Sequence, residues 1–384
     1  MAVTPGSYHG GMSDDNVPGA LRTGAAWSWR ILVIVAVVAL AIWLIITFRV
    51  IVIPFMIAVL LSSILVPFSN WLQSHRWPRW AAVVVAFIGG LCIVGGLVAL
   101  VVWQVRGGFE GIRDRTLVAA DDLSAWLAGP PFNVDLGDLP KRIADWWTSF
   151  QADPDFWDRV LSLGSTAGHI ATGLLLALFA TLFLLIDGDG VWAWFVRIFP
   201  RRARTAVDGA GRAGWRTLTS FTRVQIFVAA VDAVGIGLGA WILGLFFPGG
   251  FPLVIPLAIA VFLASFVPLV GALLTGAFAV LIALVYLGVW PAIIMLAIVL
   301  FVQEVEGHVL QPLVMGPAVK VHPLAVVFAV AAGGLIAGIP GSLFAVPLVA
   351  VVNVMIRYFG SGTWRTTAPA TGEDGRTGSS GVEE

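Results

Sequence analysis

Charge is what this sequence has least of. Only 11% of its 384 residues are Asp, Glu, Lys or Arg, against about 25% in a soluble domain. The basic and acidic residues cancel at 22 each, so there is no excess of positive charge to neutralise phosphates and no case for nucleic-acid binding. Cys92 is the single cysteine. That excludes a disulfide framework and a cysteine-based metal cluster; inside an apolar run, Cys92 reads as a small packing residue. His9, His75, His169, His308 and His322 are scattered along the chain without the His-x-x-x-His spacing of a zinc site. No Walker A loop and no Gly-x-Ser-x-Gly elbow occurs. The reading is therefore of a non-enzyme, with no cofactor and no metal expected.

What fills the chain instead is hydrophobic sequence, 59% of all residues, in runs long enough to cross a bilayer. The fold class that follows is all-α: a polytopic integral membrane protein of about eight transmembrane segments, with broken or re-entrant helices in its C-terminal half and a small helical extramembrane subdomain. Residues 1–28, rich in Gly, Ser, Asp and Pro, read as a disordered tail. The first apolar run has no small-residue cleavage site behind it and reads as a retained span. Segments one to three occupy 29–105, with Gly89-Gly90 and Gly95-Gly96 suited to close helix packing. Residues 106–165 differ in kind, with ten acidic and six basic residues and Pro130-Pro131. They read as an extracytoplasmic helical module in which Trp126, Trp146, Trp147 and Trp157 pack together or rest on the bilayer.

Segment four covers 166–186 and stops at Asp187-Gly188-Asp189-Gly190, a tetrapeptide too incomplete for a calcium loop. The loop and amphipathic helix of 187–223 carry Arg197, Arg201, Arg202, Arg204, Arg212, Arg216 and Arg223 against Asp187, Asp189 and Asp208. That imbalance assigns the loop to the cytoplasm, and counting outwards puts the amino terminus there too. Arg76 and Arg79 in the 71–80 loop agree. Segments five to eight, 224–358, form the expected transport core. Its apolar run 253–287 breaks at Pro268 and Gly271, and its last tract is either two half-helices meeting at Gly338 to Gly341 or one very tilted helix. Residues 359–384 are again polar and expected to be disordered. No internal repeat is evident.

Candidate functional residues cluster in that core. Asp232 lies about two turns inside segment five. A carboxylate at a helix centre costs about 2.5–3.5 kcal/mol on insertion scales and must face protein or water. It is either a proton- or cation-binding group or an Asp kept for packing, and the sequence supports both readings equally. After Trp290 an apolar run turns polar at Gln303-Glu304-Val305-Glu306-Gly307-His308. On a helix Glu304 and His308 share one face and read as a local pair, while Gln303 and Glu306 share another. If the segment is not helical, both carboxylates can converge. Gln311, Lys320 and His322 follow on the same pathway. His322 titrates near neutrality if unperturbed, yet directly before Pro323 it reads first as a helix-start residue. Gly316, Gly338, Pro340 and Gly341 are candidate hinges, and with Pro268 and Gly271 they suggest discontinuous helices whose free ends can bind ions.

Phe266-Val267-Pro268-Leu269-Val270-Gly271, Glu306-Gly307-His308-Val309-Leu310-Gln311-Pro312-Leu313-Val314-Met315-Gly316 and Val321-His322-Pro323-Leu324 resemble the signature of the AI-2E transporter family. The Gly338-to-Pro347 stretch is similar to its final Gly-rich segment. Glu306, which falls on the family motif, is the better candidate for contact with substrate or ion. Three residues depart from the pattern: Ser265 stands where members often have Asn, Leu269 where the residue is often polar or aromatic, and Pro317 where it is frequently basic. The resemblance implies an eight-segment protein that assembles as a homo-oligomer, a pentamer being one candidate number. It also implies export of the signal autoinducer-2 or exchange of sodium or lithium for protons. The expected function is thus a secondary transporter in the cell membrane, with both termini cytoplasmic and with the bilayer and a small-molecule or cation substrate, protons included, as partners. A passive channel and a non-transporting scaffold acting through 106–165 are the rivals.

Overall fold

The computed structural model describes residues 19–108, 112–130, 133–134, 137–152, 154–248, 250–267, 270–310 and 323–362. Among them every regular element is helical. Seven helices are long and apolar enough to cross a membrane, and two shorter apolar helices, Val254–Ala264 and Leu273–Leu287, accompany them. This is an all-α polytopic membrane protein. The two short helices occupy the 253–287 run, so the expected eight segments correspond to seven long helices, the last of them itself broken, plus this broken pair.

The residues divide into two compact units at Val52 and Ile53. In the first, α1 (Gly19–Thr47) leads into the start of α2 (Arg49–Ser74) through Phe48 alone. The Phe48 amide donates to the Leu44 carbonyl, and its own carbonyl accepts from Val52, both at 2.9 Å. α1 begins at Gly19 rather than near residue 29. Gly-Ala-Leu-Arg-Thr-Gly-Ala-Ala contains enough good helix formers to extend a helix that the apolar run has already nucleated. The expected disorder of 19–28 is therefore corrected; residues 1–18 and 363–384 lie outside the described part.

The second unit holds the rest of α2, then α3 (Arg79–Gly108), α4 (Ile112–Ala128), α5 (Leu139–Ala152), α6 (Pro154–Arg197), α7 (Arg201–Phe246), α8 (Val254–Ala264), α9 (Val270–Leu287), α10 (Val289–Val305) and α11 (Pro323–Ser361). A single π turn, Glu306–Leu310, continues α10. Pro154 opens α6 at the first helical position, where its missing N–H is no loss. The helix then runs unbroken from the extramembrane module into the fourth span.

At Asp187 the backbone leaves helical geometry (φ −147°, ψ 48°). The polar tetrapeptide therefore bends the chain instead of ending the helix. The Asp187 carboxylate accepts the Gly190 amide at 3.2 Å, as an N-cap does for the turn that follows. The Ile186 carbonyl, freed by the bend, accepts Arg79 Nη2 at 2.6 Å.

α7 is the axis of the unit. Its 46 residues span about 69 Å at 1.5 Å per residue, more than twice the ~30 Å hydrocarbon core. The amphipathic stretch and the fifth segment are thus one continuous helix. Glycine lets its neighbours approach. A Cβ on Gly239 would strike Ile298, and one on Gly235 or Gly237 would press on Val302 or Ala258 at 3.0 Å. Between helices in lipid such close backbone packing replaces the hydrophobic effect as the source of adhesion.

α11 is two half-helices. Ala337 (φ −135°) and Gly338 (φ 65°, ψ −147°) break it, and the Gly338 conformation is open essentially only to glycine. The halves fold back on each other: a Cβ on Gly333 would strike the Gly341 carbonyl and the reverse, while Ser342 Oγ donates to the Val330 carbonyl at 3.2 Å. Of the two arrangements expected for this tract, the structure has the pair of half-helices and not the single tilted helix, with the break at Ala337 and Gly338.

Candidate functional site

α7 and α10 run antiparallel, and their register locates the site. Gly239 faces Ile298 and Gly235 faces Val302, each step of four on one helix matching a step of four on the other. One more step brings the turn of Asp232 to the π turn that starts at Glu306. The two carboxylates lie within electrostatic reach of each other. π turns are rare and recur at functional sites; here it re-aims the residues after Val305 just where the helix reaches the Asp232 level.

The α8–α9 hairpin enters at the same height. α8 has 11 residues, about 16 Å of helix, and cannot cross a bilayer. It ends at Ser265, and the chain returns through α9. Gly271 seals this tip, because a Cβ there would strike the Ala264 carbonyl. Gly271 also donates its amide to the Val267 carbonyl at 2.8 Å.

Asp232 is 2% exposed. Its Oδ2 lies 3.2 Å from the Ser265 hydroxyl, which shares its one proton between this oxygen and the Val261 carbonyl at 2.8 Å, while its Oδ1 is buried with no hydrogen-bond partner. Gln225, two turns earlier on α7, donates Nε2 to the Ser265 carbonyl at 2.6 Å. Helix α7 thus grips the hairpin tip through both the side chain and the backbone of Ser265. Gln303 lies one turn before Glu306, and its Nε2 is a second buried polar atom without a partner. A carboxylate oxygen and an amide nitrogen, both buried and both unspent, border the junction of α7 and α10. Such orphans are costly unless something polar visits them.

The remaining sequence candidates divide. Glu304 Oε1 and His308 Nδ1 are 3.1 Å apart with side chains 73% and 77% exposed, so this pair faces outward and away from Asp232. Gly338, Pro340 and Gly341 sit at the tip of the α11 hairpin. Its second half runs antiparallel to α7, with Tyr358 against Gly209 and Val351 against Gly214. Carried onward, this register reaches the height of Gln225 at Gly341. Pro268, Gln311, Gly316, Lys320 and His322 lie outside the described residues. Gln225 is the contributor that the sequence reading passed over. Its signal was present, since residues seven apart share a helix face, and Gln225 and Asp232 are seven apart.

The profile of the AI-2E family transporter matches residues 32–360, a stretch that takes in Asp232, both hairpins and the π turn. A candidate transport protein of Mycobacterium tuberculosis (strain CDC 1551 / Oshkosh) is 36% identical over 345 residues, covering 89% of this chain and 92% of the relative. The candidate transport protein YrrI of Bacillus subtilis (strain 168) is 25% identical over 334 residues, covering 83% and 88%. The candidate permease PerM of Escherichia coli (strain K12) is 26% identical over 319 residues, covering 80% and 87%. Matched along nearly its whole membrane-embedded length, this chain belongs to the AI-2E transporter family.

Proposed function

We propose that the protein is a secondary transporter that moves a small polar organic molecule of the autoinducer-2 kind, or a monovalent cation, in exchange for protons. The observation that carries this reading is the Asp232 carboxylate: buried at mid-helix, held by one hydrogen bond and left with one unspent oxygen, beside Glu306. A carboxylate in this position must be neutralised or paired, and a transporter can alternate between the two during its cycle. Broken helices whose ends meet at one height supply backbone groups for polar cargo. Gly338 and Gly341 give the second hairpin a place to bend. Gln311, Lys320 and His322 are proposed to line the same route. The assembly would be a homo-oligomer in the cell membrane with both termini cytoplasmic.

A channel would need none of this carboxylate chemistry and would only let cargo equilibrate. The distinguishing experiment is accumulation in proteoliposomes under an imposed proton gradient, with sodium, lithium or autoinducer-2 as cargo. The proposal expects one of them to rise above its external concentration and to leak back when a protonophore is added. Equilibration unaffected by the protonophore would identify a channel. Failure of all three cargoes to move would turn attention to a scaffold role for the 106–165 module.

A further inference from the structure

Below Asp232, towards the arginine-rich end of α7, lies a second buried polar group that the site above does not use. Ser62 and Ser63 on α2 are both 0% exposed, and Thr222 on α7 is 1% exposed. Ser63 Oγ is 2.9 Å from Thr222 Oγ1 and 2.6 Å from the Leu60 carbonyl. It therefore has one proton and two acceptors.

Hydroxyls inside membrane helices ordinarily spend their proton on the carbonyl four residues back. Thr172, Thr181, Thr217, Thr222 and Thr275 all do so. Ser62 and Thr219 do not: their oxygens are buried and have no partner. In a dry, apolar contact between two helices these are the groups that should have turned to their own backbone. Their unspent capacity is what buried water satisfies.

The cluster is also placed to connect. On α7, Thr219, Thr222 and Gln225 follow at steps of three towards Asp232, and Gln225 already holds Ser265, which holds Asp232. On α2, Ser69 lies seven residues beyond Ser62 and so on the same face; it is 3% exposed and accepts Gln73 Nε2 at 3.3 Å. Ten residues of helix are about 15 Å. Asp232 to Thr222 covers that distance along α7 and reaches the arginine-rich edge of the fifth segment, where α2 takes over through Ser63 and continues to Ser69 and Gln73.

We propose that Ser62, Ser63, Ser69, Thr219 and Thr222 form a narrow, water-holding polar lane between Asp232 and the arginine-rich end of α7, and that protons use it. The second clause rests on the coupled-transport reading; the first does not. A proton arriving on a hydroxyl oxygen is taken up by a lone pair while that hydroxyl releases its own proton to the next oxygen. Nothing is consumed, and the two acceptors of Ser63 are what such a handover needs.

The test uses the scarcity of cysteine. Cys92→Ala removes the only one, and single cysteines are then placed at Ser62, Thr219 and, as a dry control in the apolar core two turns beyond Asp232, at the fully buried Ala240. Silver ion added to membrane vesicles reacts with a thiol only where water reaches it, and reaction is read as protection from alkylation after denaturation. Ser62→Cys and Thr219→Cys should react at least tenfold faster than Ala240→Cys; rates equal to the control would overturn the lane. Separately, Ser63→Ala/Thr222→Val should lower gradient-driven proton flux in proteoliposomes about tenfold, with Ser63→Thr/Thr222→Ser restoring most of it. Full flux in the apolar double variant would show that protons travel elsewhere. Absence of proton flux in the unaltered protein would overturn coupled transport itself, while the silver reaction would still decide whether the lane holds water.

Discussion

The Ser265 hydroxyl is the one group seen to hold Asp232 in place, and its removal is the sharpest single-atom test of the site. Ser265→Ala leaves the Asp232 carboxylate buried with both oxygens unpaired and should cost about 1–3 kcal/mol. A lowered melting temperature in detergent, compared with a surface control such as Ser124→Ala, would register it. An unshifted melting curve would mean that Asp232 draws its stability from elsewhere. Asp232→Asn is a different kind of change. It keeps shape and an acceptor oxygen for Ser265, so it should melt close to the unaltered protein while losing the ability to exchange a proton. Gln225 could have been read in advance from its seven-residue spacing to Asp232. Ser265 could not, because only the depth of the α8–α9 hairpin brings it to that height, and nothing local in the sequence sets that depth.

The two hairpins depend on backbone contacts that tolerate no side chain. Gly271→Ala would drive a methyl into the Ala264 carbonyl, an overpacking that typically costs about 1–3 kcal/mol. Gly338→Ala forces a side chain into a region of φ and ψ worth about 1–3 kcal/mol of strain. Gly95, by contrast, has nothing within 4 Å of its Cβ position. Alanine there should be neutral or stabilising by about 0.5–1 kcal/mol. Thermal melts of the three variants side by side check the argument, and a Gly271→Ala protein as stable as Gly95→Ala would remove the close seat from the account. Where these helices break was legible, since Gly and Pro mark the positions. What each break does was not. The polar Asp187 tetrapeptide reads as a stop, yet the structure bends there, because the Asp187 side chain caps the next turn and Arg79 takes the freed Ile186 carbonyl. Both partners are local accidents of packing that composition does not encode.

In the unit from Ile53 onward, the extramembrane module is not an independent appendage. Trp126 of α4 meets Trp290 of α10 edge-on at 6.2 Å between ring centres, and Arg115 lies 4.8 Å over the ring of Tyr286 at the end of α9. Trp126→Ala should remove about 0.5–1.5 kcal/mol of ring–ring interaction and lower the melting point. Transport should survive it if the function lies in the core; loss of all activity with a folded membrane part would favour the scaffold reading. Number and order of membrane segments were readable from hydropathy because each apolar run has only one way to satisfy its backbone in lipid. The convergence of α7, the α8–α9 tip and the π turn was not, since it depends on glycine-set registers between helices far apart in sequence. That convergence is the centre of the functional account. Its most direct test is internal pH in proteoliposomes with an imposed proton gradient, on addition of sodium, lithium or autoinducer-2, comparing the unaltered protein with Asp232→Asn and Glu306→Gln. The account predicts cargo-dependent proton movement that falls at least tenfold in Asp232→Asn and is weakened in Glu306→Gln. Proton movement undiminished in a folded Asp232→Asn protein would contradict it.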